Sequence, residues 1–127
     1  MSENLQDLLE DFIKEANLES VATAIVDLDG KELAFAIHGT FNSEFNSQRA
    51  ASLFAMVVNF LNKTLGGIHF AEDEVEEIMV TSNHGYFLLE IIKHEKCFQG
   101  VAISKEEDIT KIRTLIKKYK PLFLAHL

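Results

Sequence analysis

Five histidines and one cysteine are the side chains here with the widest chemical range. The histidines are His38, His69, His84, His94 and His126, and none has a ligand-type partner at i+3 or i+4 on a predicted helix. Cys97 has no second cysteine to pair with. A structural zinc site needs four such ligands, usually in short-spaced pairs, so no metal site is expected. Ser82-Asn83-His84 sets a hydroxyl beside an imidazole. A nucleophile elbow, however, needs a strand–Ser–helix turn, and this stretch reads as a hairpin whose adjacent side chains diverge. Gly66-Gly67 lacks the Lys-Ser of a phosphate loop and reads as a helix stop. The acidic run Glu72–Glu77 lacks the central glycine and alternating ligands of a calcium loop. It reads as a solvated connector, with docking of a basic partner as the alternative. Cys97, beside Phe98, reads as a small core hydrophobe. Lys111, Arg113, Lys117, Lys118 and Lys120 read as a solvated helix face, with contact to an acidic partner surface as the alternative. Arg49 and Arg113 are the only arginines, and either could act as a finger in trans on a nucleotide. Arg49 opens a helix and Arg113 sits on an exposed helical face, so structural roles are preferred. No catalytic, cofactor-binding or metal-ligating residue is expected.

Composition narrows the classes further. The chain has 127 residues, a formal charge of −8, and 47% hydrophobic residues. That length suits one domain over residues 1–127, able to bury roughly two-thirds of its unfolded surface. The negative charge argues against nucleic acid and against an anionic membrane as partners. No apolar run approaches the roughly 20 residues of a spanning helix. An acidic N-terminus, Met1-Ser2-Glu3-Asn4, argues against a signal peptide. The lone Cys97 suits a reducing, cytoplasmic setting. Against this background the slightly positive mean hydropathy is high for a small acidic chain.

The elements follow from periodicity. Leu5, Leu8, Leu9, Phe12, Ile13 and Ala16 recur at helical spacing, with Asn4 as N-cap. Val21–Leu28 and Lys31–His38 read as strands joined at Asp29-Gly30, a strong hairpin signal because a tight primed turn needs positive φ. In the second strand Leu33, Phe35 and Ile37 share one face, with Glu32, Ala34, Ala36 and His38 on the other. After a polar stretch at 39–47, a second helix is predicted over Ser47–Leu65, closed by Gly66-Gly67. Three strands follow over Ile78–Ser82, Tyr86–Ile92 and Lys96–Ile103. A last helix is predicted from Ser104, with Glu107 completing a capping box, Ile109, Ile112, Leu115, Ile116 and Tyr119 as its buried stripe, and Pro121 as its end. Beyond it, the apolar tail Pro121–Leu127 is expected to pack on the domain or on a partner. Short hairpins make the sheet antiparallel. The prediction is α+β: a five-stranded antiparallel sheet with helices on both faces, in the order α-β-β-α-β-β-β-α.

The second helix carries too much apolar surface for one sheet. Advancing 100° per residue, Leu53, Phe54, Met56, Val57, Val58, Phe60, Leu61 and Leu65 spread over about 220° of it. Packing on a sheet needs a stripe of little more than about 100°. A second chain is the economical cover for the surplus, and self-association through this helix is expected, to be broken by Glu at Met56 or Phe60, with a deeply buried central helix in a monomer as the alternative.

The element order, the Ala24–Gly30 segment Ala-Ile-Val-Asp-Leu-Asp-Gly, the Arg49-Ala50-Ala51 start of helix two and the Ile78–Leu89 run resemble the roadblock family of dynein light-chain type. The likeness covers nearly the whole chain. It implies homodimers, or heterodimers with a paralogous subunit, in which second helices pack together and third strands join the sheets. That places the implied dimer interface on Arg49, Leu53, Met56, Val57, Phe60, Ile78 and Val80. It further implies regulation or scaffolding of a Ras-like small GTPase, with no nucleotide site in the module itself. The expectation is therefore a non-enzymatic dimerising module without cofactors. The alternative is a small-molecule sensor of profilin-like or sensory α+β type, for which a polar cavity containing His38 would speak.

Overall fold

The computed structural model describes residues 4–39, 46–68 and 74–127. These form α1 (Leu5–Ala16), β1 (Val21–Asp27), β2 (Glu32–His38), α2 (Ser47–Gly67), β3 (Glu77–Thr81), β4 (Gly85–Lys93), β5 (Cys97–Ser104) and α3 (Ile109–Leu124). The strands make one antiparallel sheet in the order β2-β1-β5-β4-β3. Class, element order and the placing of helices on both faces agree with the sequence prediction. His69, Glu72, Asp73 and most of the polar stretch after Gly39 lie outside the described residues.

Two helices close one face. Asn4 caps α1 by accepting the Asp7 N–H at 2.9 Å, and Asn17 ends it in the left-handed conformation. The α1 stripe of Leu8, Leu9, Phe12 and Ala16 meets Ile112, Leu115, Ile116, Tyr119 and Phe123 of α3 over Val21, Ile25, Leu88, Val101 and Ile103 of the sheet. Phe12 meets Tyr119 edge-on, with ring centroids 5.4 Å apart. Polar groups in this layer are paired. Gln99 donates to the Thr23 hydroxyl at 2.9 Å, which donates to the Gly100 carbonyl at 2.8 Å. Glu90, 2% exposed, is held by Lys117 at 2.6 Å and Lys120 at 3.2 Å. At the rim, Glu15 accepts from Lys118 and from the Tyr119 hydroxyl, and these bonds hold its carboxyl below the ordinary carboxylate value.

Among the described residues, α2 is the only helix on the other face. Ala51, Ala55 and Val58 bury against Val26, Leu89, Ile91 and Phe98. The topology explains this lone cover. Because β2 and β3 are opposite edges, α2 must carry the chain across the sheet from one to the other. One helix about 10 Å wide cannot roof five strands spaced about 4.8 Å apart.

Four local expectations are corrected. The chain between β1 and β2 does not make a two-residue primed turn. Gly30 N–H donates to Asp27 O at 3.0 Å, Asp27 N–H donates to Lys31 O at 2.9 Å, and only Gly30 has positive φ, at 89°. This is a type I turn followed by a glycine bulge. The Asp27 carboxylate stabilises it by accepting from Asp29 and Lys31 N–H. A register shift opposite Ile25 and Val26 pairs Glu32 with Val26. Glu32 thus leaves the face of Ala34 and Ala36 for the α2 side, where Ser47 donates to it at 3.3 Å. The last helix begins at Ile109, not Ser104. Ser104 ends β5, and Asp108 caps the helix by accepting from Thr110 and Lys111 N–H; a carboxylate makes the stronger cap there. Nor does Pro121 end the helix. It removes one N–H, yet the helix continues to Leu124 because the next turn buries Phe123 completely.

Candidate interaction face

α2 presents two unlike sides. Taking Ala51 as zero, the buried residues Ala51, Ala55 and Val58 cluster within about 40° of it. Leu53, Met56, Val57 and Phe60 lie on the opposite arc, between about 140° and 240°. They are 51%, 66%, 40% and 68% exposed. Soluble monomers rarely leave four large apolar side chains adjacent on one ridge. Arg49 shares this arc and is exposed, with no ion pair among the described residues. Phe54, Leu61 and Leu65, which complete the apolar girdle seen in the sequence, instead turn partly inward. Phe54 reaches Phe87 of β4, with centroids 6.0 Å apart.

The β1–β2 turn fixes α2 in this attitude. Gln48 donates to Gly30 O at 2.7 Å and Asn59 donates to Leu28 O at 3.0 Å. A Cβ on Gly30 would stand 2.9 Å from the Ser52 Cα, so only glycine lets the helix approach this closely. At the far end Asn62 accepts the Val75 N–H at 2.8 Å, tying α2 to the lead-in to β3.

β3 adds a second element to the same region. Ile78 and Val80 stand opposite Leu89 and Phe87 and share the α2 face of the sheet. Ile78 is half-buried and Val80 is exposed. Ile91 N–H bonds Glu76 O at 3.0 Å and Ser82 N–H bonds Gly85 O at 2.9 Å. Antiparallel alternation between these two pairs turns the backbone groups of Ile78 and Val80 to β4. Those of Glu77, Met79 and Thr81 then face an edge left open among the described residues. β3 contains no proline, lysine or bulge to discourage pairing there. Its flank is braced from α3: Arg113 binds both Glu77 oxygens, at 2.8 and 3.1 Å. The guanidinium holds the Glu77 carboxyl below the ordinary carboxylate value, and the Glu90 carboxylate pushes Lys117 above the ordinary lysine value. His94 clamps the lead-in, one ring nitrogen against Glu74 and the other against Glu76.

The structure thus brings Leu53, Met56, Val57 and Phe60 together on one ridge, with Arg49 on the same arc, and sets Ile78 and Val80 on the sheet face that α2 covers. Met79, 52% exposed, was not singled out from the sequence, although its strand neighbours were. Exposed Leu33 and Ile37 on β2 were visible only as one side of an alternating strand.

The residues weighed for chemistry fall elsewhere. His84 is exposed in the β3–β4 turn, and the Ser82 hydroxyl beside it exchanges hydrogen bonds with Gly85. Cys97 is buried, and burial pushes its thiol upward, away from the reactive thiolate. No three metal-ligating side chains converge among the described residues. A cavity of about 60 Å³ lies beneath α2, floored by Ala22, Ala24, Gly100 and Ala102 and walled by Phe35, Phe54, Phe87 and Phe98. Small-molecule sites usually exceed about 300 Å³ and converge several polar groups. His38 is exposed and does not line the cavity. No described helix is long and apolar enough to cross a membrane.

Compared by sequence, the chain matches no family model and no curated protein. Compared by structure, it is similar to Myxococcus xanthus MglB, with a TM-score of 0.78 and 18% identity over 94% of this chain and 91% of that one. An MglB described with a tetrameric arrangement gives 0.81 and 12% identity over 99% and 92%. A Roadblock/LC7 domain from Streptomyces avermitilis gives 0.68 and 15% over 96% and 99%. Acanthamoeba castellanii profilin IA shares the layout more loosely, at 0.59 and 12% over 94% and 96%. At these identities the likeness concerns the fold, and by that measure the chain has the roadblock-type fold.

Proposed function

We propose that this chain is a non-enzymatic dimerising module that regulates or scaffolds a Ras-like small GTPase. The observation that carries the dimer is the exposed ridge Leu53-Met56-Val57-Phe60 on a helix whose other side is already packed. Removing such a ridge from water is the dominant driving force of stable association. The open edge of β3 supplies directional backbone pairing beside it. Arg49, Leu53, Met56, Val57, Phe60, Ile78 and Val80 form the interface in this reading, and the partner is a second copy or a paralogous subunit of the same fold. The GTPase rests on the roadblock resemblance of the Ala24–Gly30, Arg49–Ala51 and Ile78–Leu89 segments. The module positions its partner's loops and contributes no nucleotide chemistry of its own.

Sedimentation of the purified chain tests the dimer. Two chains per particle are expected at micromolar concentration, and a single chain would end the interface argument. Phe60→Glu is expected to give a folded monomer, since it buries an unpaired charge in the interface while leaving the packed side of α2 untouched. GTP hydrolysis by a small GTPase captured from native extract, measured with and without the chain, tests the regulatory part.

A further inference from the structure

The two edges of the sheet differ in how their backbone is finished. β3 is open. β2 reads Glu-Leu-Ala-Phe-Ala-Ile-His, an apolar seven-residue strand without proline, glycine or an internal charge. By composition it is the more hazardous edge, since such segments pair readily with other strands. Leu33 and Ile37 stand exposed along it, at 42% and 45%. Yet at its centre the pairing groups are taken. Phe35 lies opposite Ala24 in the ladder with β1. Its N–H donates to Gln6 Oε1 at 3.1 Å, and its carbonyl accepts from Gln6 Nε2 at 2.7 Å. These are the two bonds that a residue of an added strand would make. A carboxamide has the donor and acceptor of a peptide group, so Gln6 stands in for one.

We propose that Gln6 is an edge guard. Its side chain occupies the pairing position at the middle of β2 and keeps a second copy of β2 from adding there. Association is thereby confined to the α2–β3 side. This deepens the dimer reading, because a sheet open at both edges would propagate into chains of molecules, whereas one open edge closes at two. α1 supplies the rigidity. Gln6 sits in its first turn, two residues after the Asn4 cap, while Leu8, Leu9 and Phe12 anchor the helix in the core. The guard is thus held by the packing of its helix, not by the two hydrogen bonds it makes to Phe35. The occupant it excludes is a strand of matching apolar character, and the symmetric antiparallel pairing of two β2 strands centred on Phe35 provides that.

Gln6→Ala tests the proposal, since alanine keeps the helix and removes the carboxamide. The Phe35 amide should exchange with solvent about fivefold faster at low concentration, the equivalent of one ordinary hydrogen bond. At high concentration the variant should sediment beyond two chains, in multiples of the starting particle. Adding Ile37→Lys, a charge on the freed edge, should return it to the starting size. The Phe60→Glu background separates this proposal from the dimer reading. There, Gln6→Ala should convert monomers to pairs even if the parent chain never dimerises through α2. Unchanged size in both backgrounds would overturn the guard, as would growth that Ile37→Lys leaves intact.

Discussion

The two faces of the sheet are finished to different degrees. On one, α1 and α3 meet each other as well as the strands, and Leu9, Phe12, Ile112 and Phe123 have at most 1% of their surface in contact with water. On the other, α2 seats three small side chains, Ala51, Ala55 and Val58, and leaves four large ones outside. The difference is not one of hydrophobicity, since α2 is the more apolar helix in sequence. It comes from connection. α1 and α3 lie side by side and bury each other's flanks, whereas α2 crosses the sheet with no other described helix beside it. In the proposed dimer, a lone helix with one apolar side packed and another outside is half of an interface, and the closed face is what a completed one looks like.

The largest break in this comparison is expected from Phe12→Ala. Phe12 is fully buried and stacks edge-on against Tyr119, so its loss should cost about 3–5 kcal/mol. Denaturant unfolding checks this, and the loss should not depend on protein concentration. Next is Gly30→Ala, which must hold an L-residue at φ 89° with its Cβ against the Ser52 backbone. A cost of about 1–3 kcal/mol is expected, read in the same experiment. Phe60→Ala sharpens the contrast from the other side. On the folded monomer it should change stability by no more than about 0.5 kcal/mol. Its effect should appear in the concentration dependence of sedimentation. A Phe60→Ala cost equal to that of Phe12→Ala in dilute solution would mean that the ridge is core.

The closed face was legible in sequence because its stripes are local. Ile112, Leu115, Ile116 and Tyr119 recur at helical spacing, and so do Leu8, Leu9 and Phe12. The surplus on α2 was legible for the same reason, and with it the ridge. What periodicity missed depends on contacts distant in the chain or on competition between neighbours. Gln6 reads as an ordinary exposed helix residue until a strand 29 positions away brings its backbone against it. Ser104 and Asp108 are both good caps, and the choice between them was made by β5, whose pairing with β1 and β4 extends through Ser104 and Ile103. Pro121 was read as a stop because local sterics disfavour it, while burial of Phe123 outweighs that one lost bond. Glu32 changed sides because a bulge, which period-two counting cannot register, shifted its partner.

The smallest expected effect concerns the brace behind the open edge. Arg113 binds both carboxylate oxygens of Glu77 from α3, so the closed face supports the strand that the open face offers for pairing. Glu77 titrates below its ordinary value in the folded chain because the guanidinium favours its charged form. A carboxyl whose folded pKa is depressed contributes stability above its unfolded pKa and loses it as pH falls through the folded one. Arg113→Ala should therefore be less stable than the parent at neutral pH. The gap should narrow on acidification through the carboxylate range, because protonated Glu77 no longer distinguishes the two chains. Thermal unfolding at a series of pH values reads this directly. A gap that stays constant to low pH would mean that Arg113 acts by packing its aliphatic stem against α3's neighbours. Hydrogen exchange at Ile78 and Val80, whose backbone groups face β4, gives the structural counterpart. If the brace stiffens β3 for pairing, the exchange of that strand should quicken in Arg113→Ala, while amides of β5 at the sheet's centre stay as protected as in the parent.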